Sequence, residues 1–140
     1  MANQKKLVFV VEDNPVQQKQ LQVHFEETLG EFAVRIFPNP DALMGSLGEK
    51  PYAVVLDHFF EGQKKTGLDY LGELRQQHKH LPVIYHTTLD DEKIRQQVMG
   101  LGAEAYIIKD SASFVRLRTA LDVIREKESK RGFFSKLFGR

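Results

Sequence analysis

"LVFVVEDNP", residues 7–15, decides how the chain is read. An apolar, partly β-branched run stops at two adjacent carboxylates, Glu12 and Asp13, and passes into Asn14-Pro15. Asparagine is a good helix N-cap and proline suits the first helical turn, so a helix should begin there. A buried strand thus ends in paired negative charge at the mouth of a helix. Strand ends are polar by necessity, but two acids side by side call for a partner.

The same alternation recurs along the chain. "AVRIF" (33–37), "AVVL" (53–56), "PVIYHT" (82–87) and "AYII" (105–108) are further strand candidates, mostly continuous in apolarity, as strands covered on both faces are. Between them lie segments with helical spacing. Leu21, Phe25 and Leu29 share one face of the first, Leu68, Leu71 and Leu74 of the third, and Phe114, Leu117, Leu121 and Ile124 of the last. A second Asn-Pro pair opens residues 39–48, and 89–102 begins acidic and ends in glycine. The order is five times strand then helix. It predicts a flavodoxin-like (βα)5 fold: a doubly wound parallel sheet with right-handed crossovers and strand order 2-1-3-4-5.

A chain of 140 residues suits one domain with a real core, and its charge of +1 gives no case for a nucleic-acid surface. Without cysteine there are neither disulfides nor thiolate metal sites. "MANQKK" lacks the layout of a secretory signal and no apolar run reaches the ~20 residues of a membrane span, so a cytoplasmic protein is expected.

In the predicted sheet all strands end on one rim. There the first delivers Glu12 and Asp13, the third Asp57, the fourth Thr87 and the fifth Lys109. Like charges 4 Å apart repel by about 4 kcal/mol at an effective dielectric near 20. Lys109 offsets one negative charge of three, and a hard divalent ion such as Mg²⁺ (or Mn²⁺) would offset the other two. Such an oxygen-only site suits phosphoryl transfer, with a carboxylate as the attacking group. Asp57, alone on the central strand, is the candidate nucleophile, and Glu12 and Asp13 the metal binders.

"VFVVEDNP", "VVLD", "PVIYHTT" and "AYIIKD" resemble, in order and spacing, the signature blocks of receiver domains of bacterial two-component response regulators, of the stand-alone, chemotaxis-regulator type. The likeness covers residues 6 to about 127. It implies that Asp57 is the phosphoacceptor. Mg²⁺ would be held by Asp13, Asp57 and the backbone carbonyl of Phe59, with Glu12 acting mostly through water. Thr87 and Lys109 would bind the phosphoryl group, and Tyr106 would change rotamer on activation. The implied donor is a sensor histidine kinase or a histidine phosphotransfer protein. The implied output is an altered surface on the fourth helix, fifth strand and fifth helix, read by a downstream protein.

The chain departs from the family pattern in places. Asp110 follows Lys109 where the family has proline, which puts the family's cis peptide there in doubt. Thr88 stands where a small residue is common. The loop "DHFFEGQKKTG" (57–67) is about two residues long for the family and carries His58 and Phe59. Phe59 and Thr88 are expected to tune access to the acyl phosphate. The histidines at 24, 58, 78, 80 and 86 show no spacing expected of a zinc site.

The tail "KRGFFSKLFGR" interleaves Phe133, Phe134, Leu137 and Phe138 with basic residues. These four are candidate partner contacts. Folding back on the domain or pairing with a second copy as a homodimer is preferred over membrane binding, for which so short a segment is weak. The organisation expected is a receiver domain over 1–128 and a basic, aromatic tail over 129–140. No DNA-binding domain is expected in the residues after 128. The reading is a single-domain response regulator that promotes its own phosphorylation and dephosphorylation and is not otherwise an enzyme. Its rival is a pseudo-receiver, an interaction module not switched by phosphate. An aspartate-dependent phosphatase would want a second acid where Phe59 stands.

Overall fold

A computed structural model describes residues 5–138; the first four residues of the expected domain and the last two of the tail lie outside it. Five parallel strands, β1 (Lys6–Val11), β2 (Phe32–Phe37), β3 (Ala53–Leu56), β4 (Val83–Thr87) and β5 (Ala105–Ile108), form one sheet in the order β2-β1-β3-β4-β5. The helices are α1 (Pro15–Thr28), α2 (Pro40–Met44), α3 (Gly67–Gln77), α4 (Glu92–Gly100) and α5 (Ser113–Leu137). This is the flavodoxin-like arrangement that the alternating pattern predicts.

The helix starts follow from local chemistry. Asn14 Oδ1 accepts from the amides of Val16 and Gln17, and Asn39 Oδ1 from Ala42. Thr66 and Asp69 form a reciprocal capping box on α3, and Asp91 caps α4 through Ile94. The α2 segment is shorter than its sequence pattern suggests: the helix stops at Met44, and residues 47–49 form a separate 3-10 turn. On one face of the sheet Leu21, Phe25, Leu29, Leu117, Leu121 and Ile124 bury against Val8, Val10 and Val55. On the other, Tyr70, Leu71, Leu74 and Val98 cover Phe9, Val54, Leu56 and Tyr85. Two complete apolar layers fix the strands, and so fix which residues meet at their ends.

The main difference from the sequence reading lies at the far end. The helix α5 runs without a break through residue 128 to Leu137 and does not fold back: every residue from Glu126 to Phe138 is exposed. The stripe that buries Leu117, Leu121 and Ile124 continues into Glu128, Arg131 and Ser135, so nothing draws the last turns onto the domain.

Candidate phosphoacceptor site

The rim of the sheet gathers the five predicted polar positions in unequal ways. Asp57 follows β3, and its carboxylate receives Lys109 Nζ at 2.6 Å and the His58 amide at 2.6 Å, one on each oxygen. Lys109, just after β5, also stands 4.0 Å from Glu12 Oε1. Its backbone N–H bonds to Thr87 O at 2.8 Å, which ties the ends of β4 and β5 together. The Lys109–Asp110 peptide is trans, since the described residues contain no cis bond, yet the ammonium still reaches Asp57. Asp110 does other work: it accepts from the Ala112 amide and pairs with Arg116, and both hold its carboxyl below the usual range.

Glu12 is largely buried, and burial pushes its carboxyl up despite the Asn14 amide and Lys109, with Asp13 pushing the same way. Burial is the main cause, and the neighbouring acid only adds to it. Glu12, Asp13, Asp57, Phe59 and Glu61 line one small cavity of about 30 Å³ beside β1 and β3. Among the described residues no three acids or histidines stand as a finished ligand cluster. Asp57 is engaged by Lys109, and Glu12 by the Asn14 amide at 3.1 Å. The donors are nonetheless all oxygen, acidic, and set round a space of ionic size, which fits a hard divalent cation. Glu61 was not foreseen, because a loop acid four residues past Asp57 carries no periodic signal.

Thr87 is fully buried, and its Oγ1 accepts the Leu89 amide at 3.2 Å. Tyr106 donates its hydroxyl to the Leu89 carbonyl at 2.5 Å. Leu89 is therefore held at both backbone groups, once from the rim and once from β5. Thr88 and Phe59 are exposed, with Phe59 edge-on to His58. Lys65 is drawn away from the rim to Glu73 at 2.9 Å.

Beneath the rim, features that the strand pattern does not reveal set the floor. His58 Nδ1 and the Tyr85 hydroxyl share a 2.6 Å hydrogen bond, and burial keeps the imidazole below and the phenol above their ordinary values. The backbone of Gly67 crosses directly under Asp57: a Cβ there would lie 1.9 Å from Asp57 O and 2.6 Å from Tyr85 Oη. In the loop above, Gly62 takes a φ of 73°, a turn that few other residues would make cheaply. On the opposite side of Asp57, a cavity of about 370 Å³ opens between α1 and α5, lined by Gln17, Leu21, His86, Lys109 and Phe114 among others.

Residues 8–122 match the model of the response regulator receiver domain, and the chain belongs to that family. No curated protein matches the sequence. Among solved structures it resembles DrrB of Thermotoga maritima, an OmpR/PhoB homologue (19% identity, TM-score 0.73), over 89% of this chain but only 54% of that one. It resembles a response regulator receiver protein from Pseudomonas putida at 20% identity and TM-score 0.72, over 87% and 98% of the two chains. The phosphorylated cyanobacterial phytochrome response regulator RcpA matches at 22% and 0.65, over 89% and 91%. At these identities the structural likeness speaks for the fold.

Proposed function

We propose that the chain is a response regulator that accepts a phosphoryl group on Asp57 from a phosphohistidine donor, a sensor histidine kinase or a phosphotransfer protein. The observation that carries this is the Asp57 carboxylate, held by Lys109 at 2.6 Å at a strand end where Glu12 and Asp13 stand beside it. An Asp57 oxygen forms the new bond to phosphorus while the phosphorus–nitrogen bond of the donor breaks; the donor ring, protonated beforehand on its other nitrogen, takes the electron pair and leaves as neutral imidazole. Receiver domains generally bind Mg²⁺ at this site. Glu12, Asp13, Asp57 and the Phe59 carbonyl are the residues that would hold it here, and when bound it supplies charge to neutralise the phosphoryl oxygens. Lys109 Nζ stands at one of the Asp57 oxygens, and the His58 amide orients the carboxylate from the other.

Signalling follows from Leu89. The added phosphoryl charge attracts the Thr87 hydroxyl as a donor, and as the side chain turns towards it Oγ1 is drawn away from the Leu89 amide that it accepts from. The loop that Tyr106 grips by the Leu89 carbonyl loses its second tether, and Tyr106 can change rotamer with it. The surface of α4, β5 and α5 is thereby re-shaped for a downstream protein. A coupling of ~1–3 kcal/mol suffices for a useful population shift. Self-phosphorylation, hydrolysis of the acyl phosphate and a cytoplasmic location belong to the same reading.

A small acyl-phosphate donor with Mg²⁺, followed by intact mass, tests it. Wild type should gain one phosphoryl group, and neither Asp57→Asn nor a chelated sample should. An adduct that survives in Asp57→Asn would move the acceptor elsewhere. A wild type without adduct would favour the pseudo-receiver, which draws on one observation: exposed Phe59 and the acid Glu61 line the cavity and oppose an anionic donor.

A further inference from the structure

The second half of α5 presents a surface for which the rest of the domain offers no use. Ile124 is the last buried residue, and Phe133, Phe134, Leu137 and Phe138 are between 54% and 68% exposed. The rings are ordered against one another: Phe134 stacks on Phe138 at 5.8 Å and meets Phe133 edge-on at 6.0 Å. At ~100° per residue the four side chains span an arc of about 140°. Arg131 and Lys136 border it, Lys130 lies one turn back, and Gly132 and Ser135 occupy the far side. From Ser129 to Phe138 there are three basic residues and no acid, on a chain whose overall charge is only +1.

We propose that this half-helix docks on an anionic lipid membrane. It would lie in the plane of the interface, with the four apolar side chains at the acyl boundary and Lys130, Arg131 and Lys136 among the headgroups. An aromatic face flanked by cations is the pattern of interfacial helices. The helix continues from the packed part of α5, so the cost of nucleating it at the surface has been met within the domain. A second copy fits less well. It would bring the same cations against one another, and four side chains offer far less than the ~800 Å² per partner of a stable interface. The patch begins roughly 30 Å along the helix from Ser113, so docking leaves the phosphoacceptor rim free.

Flotation of the purified full chain with vesicles tests the proposal. The chain should rise with phosphatidylglycerol-rich vesicles and stay behind with phosphatidylcholine alone. Replacing Lys130, Arg131 and Lys136 together by Gln should lower the partition coefficient about a hundredfold. Phe134→Glu with Phe138→Glu should abolish flotation. Both variants alter exposed residues only, so circular dichroism should be unchanged. Absence of flotation, or equal binding to neutral vesicles, would overturn the proposal. A concentration-dependent dimer that the Phe→Glu pair dissolves would overturn it in favour of a second copy.

Discussion

Tyr85 and His86 are neighbours on β4, both buried and both titratable, and they meet opposite fates. Tyr85 turns towards α3 and α4, bonds His58 at 2.6 Å and stacks on Tyr106 with centroids 5.3 Å apart. His86 turns towards α1 and α5, where its Nε2 has no hydrogen-bond partner among the described residues and borders the cavity of about 370 Å³. One face of the sheet is connected from the phosphoacceptor to β5 by rings and hydrogen bonds. The other is a packed apolar layer with a gap beside the site. A rearrangement at Asp57 has continuous contacts to follow on the first face, and much less to push against on the second.

The sharpest way to break that contrast is at Gly67, which holds the connected face closed beneath Asp57. An alanine there sets its Cβ against a backbone carbonyl at 1.9 Å as well as the Tyr85 hydroxyl at 2.6 Å. A flexible side chain could yield, whereas a strand end cannot. Gly67→Ala should cost about 3 kcal/mol or more, read as a lower urea midpoint, and should slow phosphorylation because Asp57 is displaced. An unchanged midpoint would mean that the two faces are equally loose.

The other face answers to pH. Burial lowers the His86 imidazole to about 4 from its ordinary 6.5, with Lys109 pushing the same way. Between those values the unfolded chain holds a proton that the folded chain does not, so stability rises with pH. The contribution is fully present above about 6.5 and is lost as pH falls towards 4. Its size is about 3 kcal/mol. His86→Leu should remove that part of the slope, seen by comparing urea midpoints at the two ends of the window. At neutral pH it should leave stability equal or slightly raised, because an unpartnered buried nitrogen is gone. A slope unaltered by the substitution would show that His86 is hydrated well enough to titrate normally.

Most of the architecture could be read from the chain because the strands are mostly continuous apolar runs and the first four helices announce their starts with Asn, Thr or Asp, whereas α5 begins at Ala112 without a side-chain cap. The rim residues were legible for the same reason: Glu12, Asp13, Asp57 and Lys109 adjoin strand ends, and Thr87 closes β4. What escaped depends on contacts across sequence. The His58–Tyr85 pair spans 27 positions, and the need for glycine at 67 comes from a carbonyl ten residues earlier. Phe133 to Phe138 read as a separate tail because their apolar arc does not continue the Leu117–Leu121–Ile124 stripe, although the helix itself does. Hydrophobic periodicity reports burial, and a projecting helix has none to report.

The smallest expected effect probes the far end of the connected face. Tyr106 is half-buried, and its hydroxyl donates to Leu89 O at 2.5 Å while its ring rests on Tyr85. Tyr106→Phe keeps the stack and removes only the tether, so the loss of stability should be about 1 kcal/mol or less. The local consequence should be larger than the global one. With one of its two anchors gone, Leu89 depends on Thr87 alone, and amide hydrogen exchange over residues 88–91 should rise several-fold while that of β3 stays constant. Beryllofluoride with Mg²⁺, a stable mimic of the phosphoryl group, should loosen the same amides in wild type and add little in Tyr106→Phe. If the substitution cost as much as Gly67→Ala, Tyr106 would belong to the core rather than to the loop. If exchange at Leu89 did not move, the connection between rim and β5 would run through the stacked rings and not through that carbonyl.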